Sequence, residues 1–366
     1  MRRKLQLACG LSVAAVLTAC GGSGAQDTPP APKLTSEQIH LYSVQSVLAG
    51  LVVPAPTTIL GALALSYAQF PDEELECENE EGTIVAEYID SDDSGSVSAG
   101  DQVNLTFTQC EVYGGYSLTP MDDDSGEVMF DGKVHAVVTE YELPTILGKA
   151  AAAPARKMSK ASKILKTLKD ADTIETAHLG AKLTYEQLRL GEEDEGRLDG
   201  TMRVRFSLSF PADAAPDVLS KTAEAPDEPT FIIATGQESG ESLKISFQEE
   251  GKSYAQTITE FQSEDDIRCV YSDCDEEEED DFGYMQHNFT TLQFANKGSD
   301  PELGASFEYR VRLGETLVPF SAGKILTDTS GETITTVFSA SGDTGKVDIQ
   351  STGGATWAGS FEQYID

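Results

Sequence analysis

The 366-residue chain carries 62 acidic against 26 basic side chains, a formal net charge of −36 at pH 7. Such a charge repels nucleic acid, which is excluded as a partner, and makes bare anionic lipid a poor one. An apolar share of 39% is enough for a core and excludes wholesale disorder, and the length allows one large or two ordinary domains.

The chain opens with Arg2, Arg3 and Lys4, a short apolar run and the junction Leu17-Thr18-Ala19-Cys20-Gly21. A charged start, an apolar stretch too short to span a bilayer and a small-residue junction read as a secretion signal over 1–19. Leu17-Thr18-Ala19-Cys20 resembles the lipobox of bacterial lipoproteins. That resemblance implies cleavage before Cys20 and attachment of palmitate-class acyl chains to its thiol and new amino group. Several chains anchor stably where one is marginal. By the same resemblance, Gly21 after the lipidated cysteine points to the outer membrane. No further apolar run of about 20 residues is expected after the signal.

Residues 20–33 (CGGSGAQDTPPAPK) form a Gly/Ser-rich, then Pro-rich tether, with a coil reach of about 20 Å. A helical segment packed on the body is expected over 34–70. Thr35 or Ser36 caps a helix beginning at Glu37, with Ile39, Tyr42, Val47, Leu48 and Leu51 largely on one side. Pro54 and Pro56 end it. Residues 57–69 (TTILGALALSYAQ) read equally as a second buried helix or a strand.

Cys77, Cys110, Cys269 and Cys274 remain once Cys9 leaves with the signal and Cys20 takes the lipid. An even count in an exported chain reads as two disulfides. Sequence neighbours favour Cys77–Cys110, worth roughly 3–4 kcal/mol by loop closure, and Cys269–Cys274, worth roughly 2.

Residues 90–101 read D-S-D-D-S-G-S-V-S-A-G-D. Oxygen side chains fall at loop positions 1, 3, 5, 9 and 12 (Asp90, Asp92, Ser94, Ser98 and Asp101), Ser96 offers its carbonyl at position 7, and Gly95 stands where the chain must turn. This resembles the EF-hand calcium loop position by position. Calcium takes six to eight oxygens and relieves the repulsion among clustered carboxylates. Asp in place of Glu at position 12 implies modest affinity. The flanks, GTIVAEYI and QVNLTFTQC, read as strands, so the resemblance covers the loop and not the helix–loop–helix fold. If Asp90 faces Asp101 in a hairpin, Glu81 faces Cys110, and calcium and disulfide fasten opposite ends.

From residue 83 the period is two: VNLTFTQC, KVHAVVTEYEL, TMRVRFSLSF, SLKISFQ, SFEYRVRL and ETITTVFSA alternate. A dozen or more strands make 71–366 an all-β domain, an antiparallel barrel or sandwich. V-M-F-D-G-K-V-H-A-V-V (128–138) aligns with G-R-L-D-G-T-M-R-V-R-F (196–206), placing Asp131-Gly132 and Asp199-Gly200 at equivalent points. Asp-Gly suits a tight turn or a bulge.

An insertion at about 150–172 carries Arg156, Lys157, Lys160, Lys163, Lys166 and Lys169 with Met158, Ala161, Ile164, Leu165 and Leu168 at helical spacing. Such a basic helix docks on the protein's own acidic surface, stays solvated, or meets anionic envelope material. The run Asp275–Asp281 lacks alternation and reads as a solvated loop.

Catalytic signatures do not emerge. Ser321-Ala322-Gly323-Lys324 has an S-x-x-K form but sits among predicted strands, and His40, His135, His178 and His287 are isolated. The expectation is a non-enzymatic, calcium-stabilised envelope lipoprotein with a binding or structural role, its partner a protein or glycan of the envelope. Two alternatives stand beside it: a carrier of a hydrophobic ligand in a β-barrel cavity, and a carboxylate-dependent hydrolase.

Overall fold

The structure is a computed structural model and describes residues 33–365, apart from 73, 80–81, 114–126, 143–175, 192–195, 210–229, 250–251, 270–284, 301–303, 319–321 and 340–344. The signal, Cys20, the basic insertion, Cys274 and the acidic run therefore lie outside the described residues.

Two helices come first, α1 (Ser36–Val52) and α2 (Pro54–Gln69). Thr35 is the cap. Its hydroxyl accepts from Gln38 N–H at 3.2 Å, and the Gln38 side chain accepts from Thr35 N–H at 3.0 Å, a reciprocal capping box. The prolines end α1 but do not turn the chain out of its helical path. Val53 keeps helical dihedrals (φ −62°, ψ −40°), and Pro54 opens α2 at a position whose N–H has no helical partner anyway. Residues 57–69 are thus helix, not strand. The result is one helical rod over 36–69. Its most apolar 18-residue window, with a mean hydropathy of 1.9, is apolar enough to cross a membrane, contrary to the sequence expectation. Instead, 76% of its most apolar window is buried inside the protein.

The sheet contains β1 (Thr83–Ile89), β2 (Gln102–Tyr113), β3 (Glu127–Glu142), β4 (Thr176–Leu190), β5 (Gly196–Ser209), β6 (Thr230–Gly236), β7 (Ser242–Glu249), β8 (Lys252–Cys269), β9 (Met285–Asp300), β10 (Gly304–Val318), β11 (Ala322–Thr329), β12 (Thr333–Ser339), β13 (Lys346–Ser351) and β14 (Thr356–Ser360). A short helix, α3 (Phe361–Ile365), closes the chain. Every pairing is antiparallel and joins sequence neighbours, with one exception: β6 and β7 lie end to end in a single slot between β5 and β8. The gap between them is bridged by Gln237. Its amide donates to Thr201 O at 3.3 Å and Ile258 O at 3.4 Å, and its carbonyl accepts from Phe261 N–H at 3.2 Å. One side chain thereby supplies ladder bonds that the interrupted strand cannot.

Bulges recur along the sheet. In Phe107-Thr108-Gln109-Cys110, Tyr185-Glu186-Gln187-Leu188 and Ile258-Thr259-Glu260-Phe261, the outer two residues are buried and the inner pair turns outward. Gln109, Gln187 and Glu260 take positive φ (46°, 51° and 58°). Asp131-Gly132 and Asp199-Gly200 sit on β3 and β5, flanking the β4 bulge, with glycine φ of 132° and 129°. A Cβ on Gly200 would strike the Ser242 carbonyl. The Asp-Gly pairs are therefore bulge partners, not turns. Read across the ladders, Thr356 at the start of β14 lines up, strand by strand, with Ile89 at the end of β1. This accumulated stagger is the kind that tilts strands in barrels.

The rod lies on the inner face, α1 against the C-terminal strands and α2 against the N-terminal ones. On α1, Ser36 Oγ donates to Thr356 O at 2.5 Å, His40 stacks on Trp357 at 4.4 Å, Ser43 bonds Thr336 at 2.6 Å, and Ser46 bonds Thr327 at 2.9 Å. On α2, Thr57 bonds Tyr185 OH at 2.8 Å, Gly61 lies so close to Val204 that a Cβ would collide, and Tyr67 OH donates to Ala86 O at 3.1 Å. Thr57, Thr58, Ile59, Leu60 and Gly61 are buried in succession, which one flat face cannot achieve.

Replacing Gln237 with leucine keeps the bulk but strands Phe261 N–H and two carbonyls. Urea denaturation should show a loss of about 1–3 kcal/mol.

Candidate functional site

The β1–β2 hairpin has the register that the sequence implied: Thr83 pairs Thr108 and Ile89 pairs Gln102, so Asp90 and Asp101 close the loop opposite each other. The Cys77–Cys110 disulfide is formed, with the Cα atoms 5.3 Å apart. Asn79 laces the approach to it, donating to Gln109 O at 2.8 Å and accepting from Glu111 N–H at 3.0 Å. The Cys269–Cys274 pairing falls outside the described residues.

At the loop end, one oxygen each from Asp90, Asp92 and Asp101 lies within 4.8 Å of the others, the one such trio of potential metal ligands among the described residues. Backbone amides shape it. Asp90 accepts from Ser94 N–H at 3.2 Å and Gly95 N–H at 2.7 Å. Asp92 accepts from Ser94 N–H at 3.0 Å and Ser98 Oγ–H at 3.1 Å. Gly95 turns the chain at φ 71°. Ser94 Oγ donates to Ser96 O at 2.8 Å, so positions 5 and 7 converge as well. Val97 packs against the core.

Asp101 is the fixed point. It is fully buried, and its carboxylate accepts three bonds, from Ser91 N–H at 2.9 Å, Tyr88 OH at 2.7 Å and Ser98 N–H at 2.8 Å. Its carbonyl accepts from Val138 N–H at 2.8 Å, and Gly100 N–H donates to Val138 O at 2.8 Å, which ties the loop to β3. A carboxylate offers about four lone-pair positions, so Asp101 retains one for an ion, while Asp90 and Asp92 each retain about two. Burial acts to raise the Asp101 carboxyl, but the bonds from Ser91, Tyr88 and Ser98 outweigh it and hold the group below its ordinary value. The Ser94 hydroxyl and amide hold Asp92 below its ordinary value too. Burial, followed by the bond to Asp101, raises the Tyr88 phenol. Both aspartates are therefore charged and cation-ready at neutral pH.

The four histidines are not isolated in space. His135 Nδ1 meets Asn104 Oδ1 at 2.7 Å, His178 Nδ1 meets Ser207 Oγ at 3.1 Å, and His40 Nε2 meets Tyr364 O at 3.0 Å. His287 Nδ1 lies 2.6 Å from Asp265 Oδ2, and Asp265 is only 3% exposed. Sequence reasoning did not find this pair, because the partners are brought together by the β8–β9 register alone, where Ile267 faces His287. Ser321 of the S-x-x-K stretch falls outside the described residues; Lys324 lies on β11 beside Glu315 at 3.8 Å. An open recess lined by Asp131, Lys133, Glu186, Arg189, Arg197 and Asp199 marks where the β3 and β5 bulge partners meet β4.

The chain matches no family model, no curated protein and no solved structure. The reading of its function rests on its own geometry.

Two outcomes follow from the hairpin. Cys77→Ser with Cys110→Ser should lower stability by roughly 3–4 kcal/mol in urea. For Asp101, a carboxyl lowered in the folded state stabilises above its unfolded value of 3.8, and that stability is lost as pH falls through the folded value. The gap in melting temperature between wild type and Asp101→Asn should be full at neutral pH and close in strong acid.

Proposed function

We propose that this protein is a non-enzymatic lipoprotein of the bacterial envelope, anchored through Cys20 to the outer membrane and stabilised by calcium in the 90–101 loop. Its role is binding or structural. The observation that carries the reading is the convergence of Asp90, Asp92 and Asp101 within 4.8 Å, at EF-hand spacing, on a hairpin fixed by a disulfide. Asp90, Asp92, Asp101, Ser94 and the Ser96 carbonyl are the donors, and Ser98 supports them through Asp92. Hard oxygen donors of this kind suit calcium and suit softer metals poorly.

The rival readings draw less support. A carrier needs an empty apolar interior, and here α1 and α2 occupy the inner face. A hydrolase needs an acid–base pair open to substrate, and the Asp265–His287 pair faces the core.

Calcium at about a hundredfold over its dissociation constant should add roughly 2.7 kcal/mol and raise the melting temperature by a few degrees. Asp92→Asn is the clean variant, because Asp92 is exposed and its bonds stay within the loop; it should erase most of that gain while leaving the calcium-free protein nearly unchanged. Equal melting in calcium and in chelator counts against the site. Cys20→Ser should move the protein from the membrane to the soluble fraction, and unchanged membrane association would defeat the anchor.

A further inference from the structure

We propose that the protein stands on the membrane in one polarity, with the rim formed by the turns 330–332 and 352–355 facing the bilayer and the 90–101 loop at the opposite rim facing away. This rests on the reading of Cys20 as the lipid anchor and adds an orientation to it.

In an up-and-down sheet every connection leaves at one of two rims. The first rim takes the approach to β1 beside the disulfide and the connections β2–β3, β4–β5, β7–β8, β9–β10, β11–β12 and β13–β14. The 90–101 loop belongs to the other, and the longest connections, 143–175, 210–229 and 270–284, leave from there too.

The tether is pinned at the first rim. Lys33 Nζ donates to Gly353 O at 3.1 Å, Leu34 N–H donates to Glu332 Oε1 at 3.1 Å, and Ser36 Oγ donates to Thr356 O. These bonds hold the last residues of the tether against two turns of small residues, Ser330-Gly331 and Thr352-Gly353-Gly354-Ala355. Glu332, in the first of these turns, accepts the Leu34 bond.

Distance then separates the rims. From Cys20 to Lys33 the tether spans about 20 Å as a coil and about 45 Å at full stretch. The seven residues of β1 carry the chain about 23 Å from the disulfide end to the 90–101 loop. A relaxed tether therefore keeps the attachment rim the nearer of the two to the headgroups, with the 90–101 loop farther out. Glu76 and Glu78, on either side of the disulfide's Cys77, also lie near the attachment rim, beside β2, where Glu78 N–H donates to Glu111 O at 2.9 Å. Their charge opposes adhesion to anionic headgroups, so the tether rather than surface attraction sets the geometry. The loop carrying Asp90, Asp92, Asp93 and Asp101 is left free for cations and partners outside the bilayer.

The test uses acylated protein purified from membranes, in a Cys269→Ser/Cys274→Ser background that leaves Cys77–Cys110 intact. A fluorophore is placed on Ser330→Cys or on Ala99→Cys, both exposed and neither a proposed ligand. The protein is added to phosphatidylethanolamine/phosphatidylglycerol vesicles whose headgroups carry a short-range spin-label quencher. Quenching at position 330 should exceed that at position 99 several-fold. Equal quenching, or stronger quenching at position 99, in protein that mass spectrometry shows to be acylated overturns the orientation alone. Protein that proves unacylated and stays off the vesicles overturns the anchor reading and the orientation with it.

Discussion

The fold depends on covering a 34-residue apolar rod in a chain whose surface is overwhelmingly acidic. Residues 36–69 hold almost no charge, and Thr57 to Gly61 are buried without a break. A helix that is apolar all round needs a shell, not a floor. The sheet provides one by crossing the rod strand after strand, with positive-φ bulges at Gln109, Gln187 and Glu260 adding local twist. Leu60, Leu183, Phe261 and Ile325, each with no exposed surface, mark how far around the rod the core extends.

The two halves of the rod are held differently. α1 carries hydroxyls and amides that bond inward-facing groups of the C-terminal strands and of α3: Ser43 to Thr336 and Tyr364, Ser46 to Thr327, and Gln45 to Asp300. Buried polar bonds fix register, because any slip leaves several groups without partners. α2 relies on close packing instead, with Gly61 against Val204 and Thr57 as its inward hydroxyl bonded to Tyr185. One half specifies position and the other supplies burial. The hairpin at 83–110 lies at the far end of this arrangement, where β1 is an edge strand with Val85 66% exposed. A disulfide at one end and a tightly bonded loop at the other are the fastenings that an edge requires.

The sequence made some of this legible, for identifiable reasons. The strands showed because one face meets the rod and the other meets water, as in β12, where Ile334, Thr336 and Phe338 are buried and Thr335 and Val337 are not. The β1–β2 register showed because loop length and cysteine spacing impose the same pairing. Residues 57–69 stayed ambiguous because burial on every side erases the helical period. Pro54 misled because a proline that ends one helix can equally begin the next. Gln109 and Gln187 gave no hint of left-handed backbone, since glutamine carries no turn signature. The Asp265–His287 pair, 22 residues apart, exists only through a ladder.

The order in which the rod meets its strands has a consequence for how the protein is made. α1 leaves the ribosome early, yet the groups that receive it, from Asp300 through Thr327 and Thr336 to Trp357 and Tyr364, are synthesised last. Until the final strand exists, a long greasy helix has nowhere to hide. During synthesis α1 therefore waits for its partners, and loss of residues 356–365 would leave Ser36, His40 and Ser43 without Thr356, Trp357 and Tyr364.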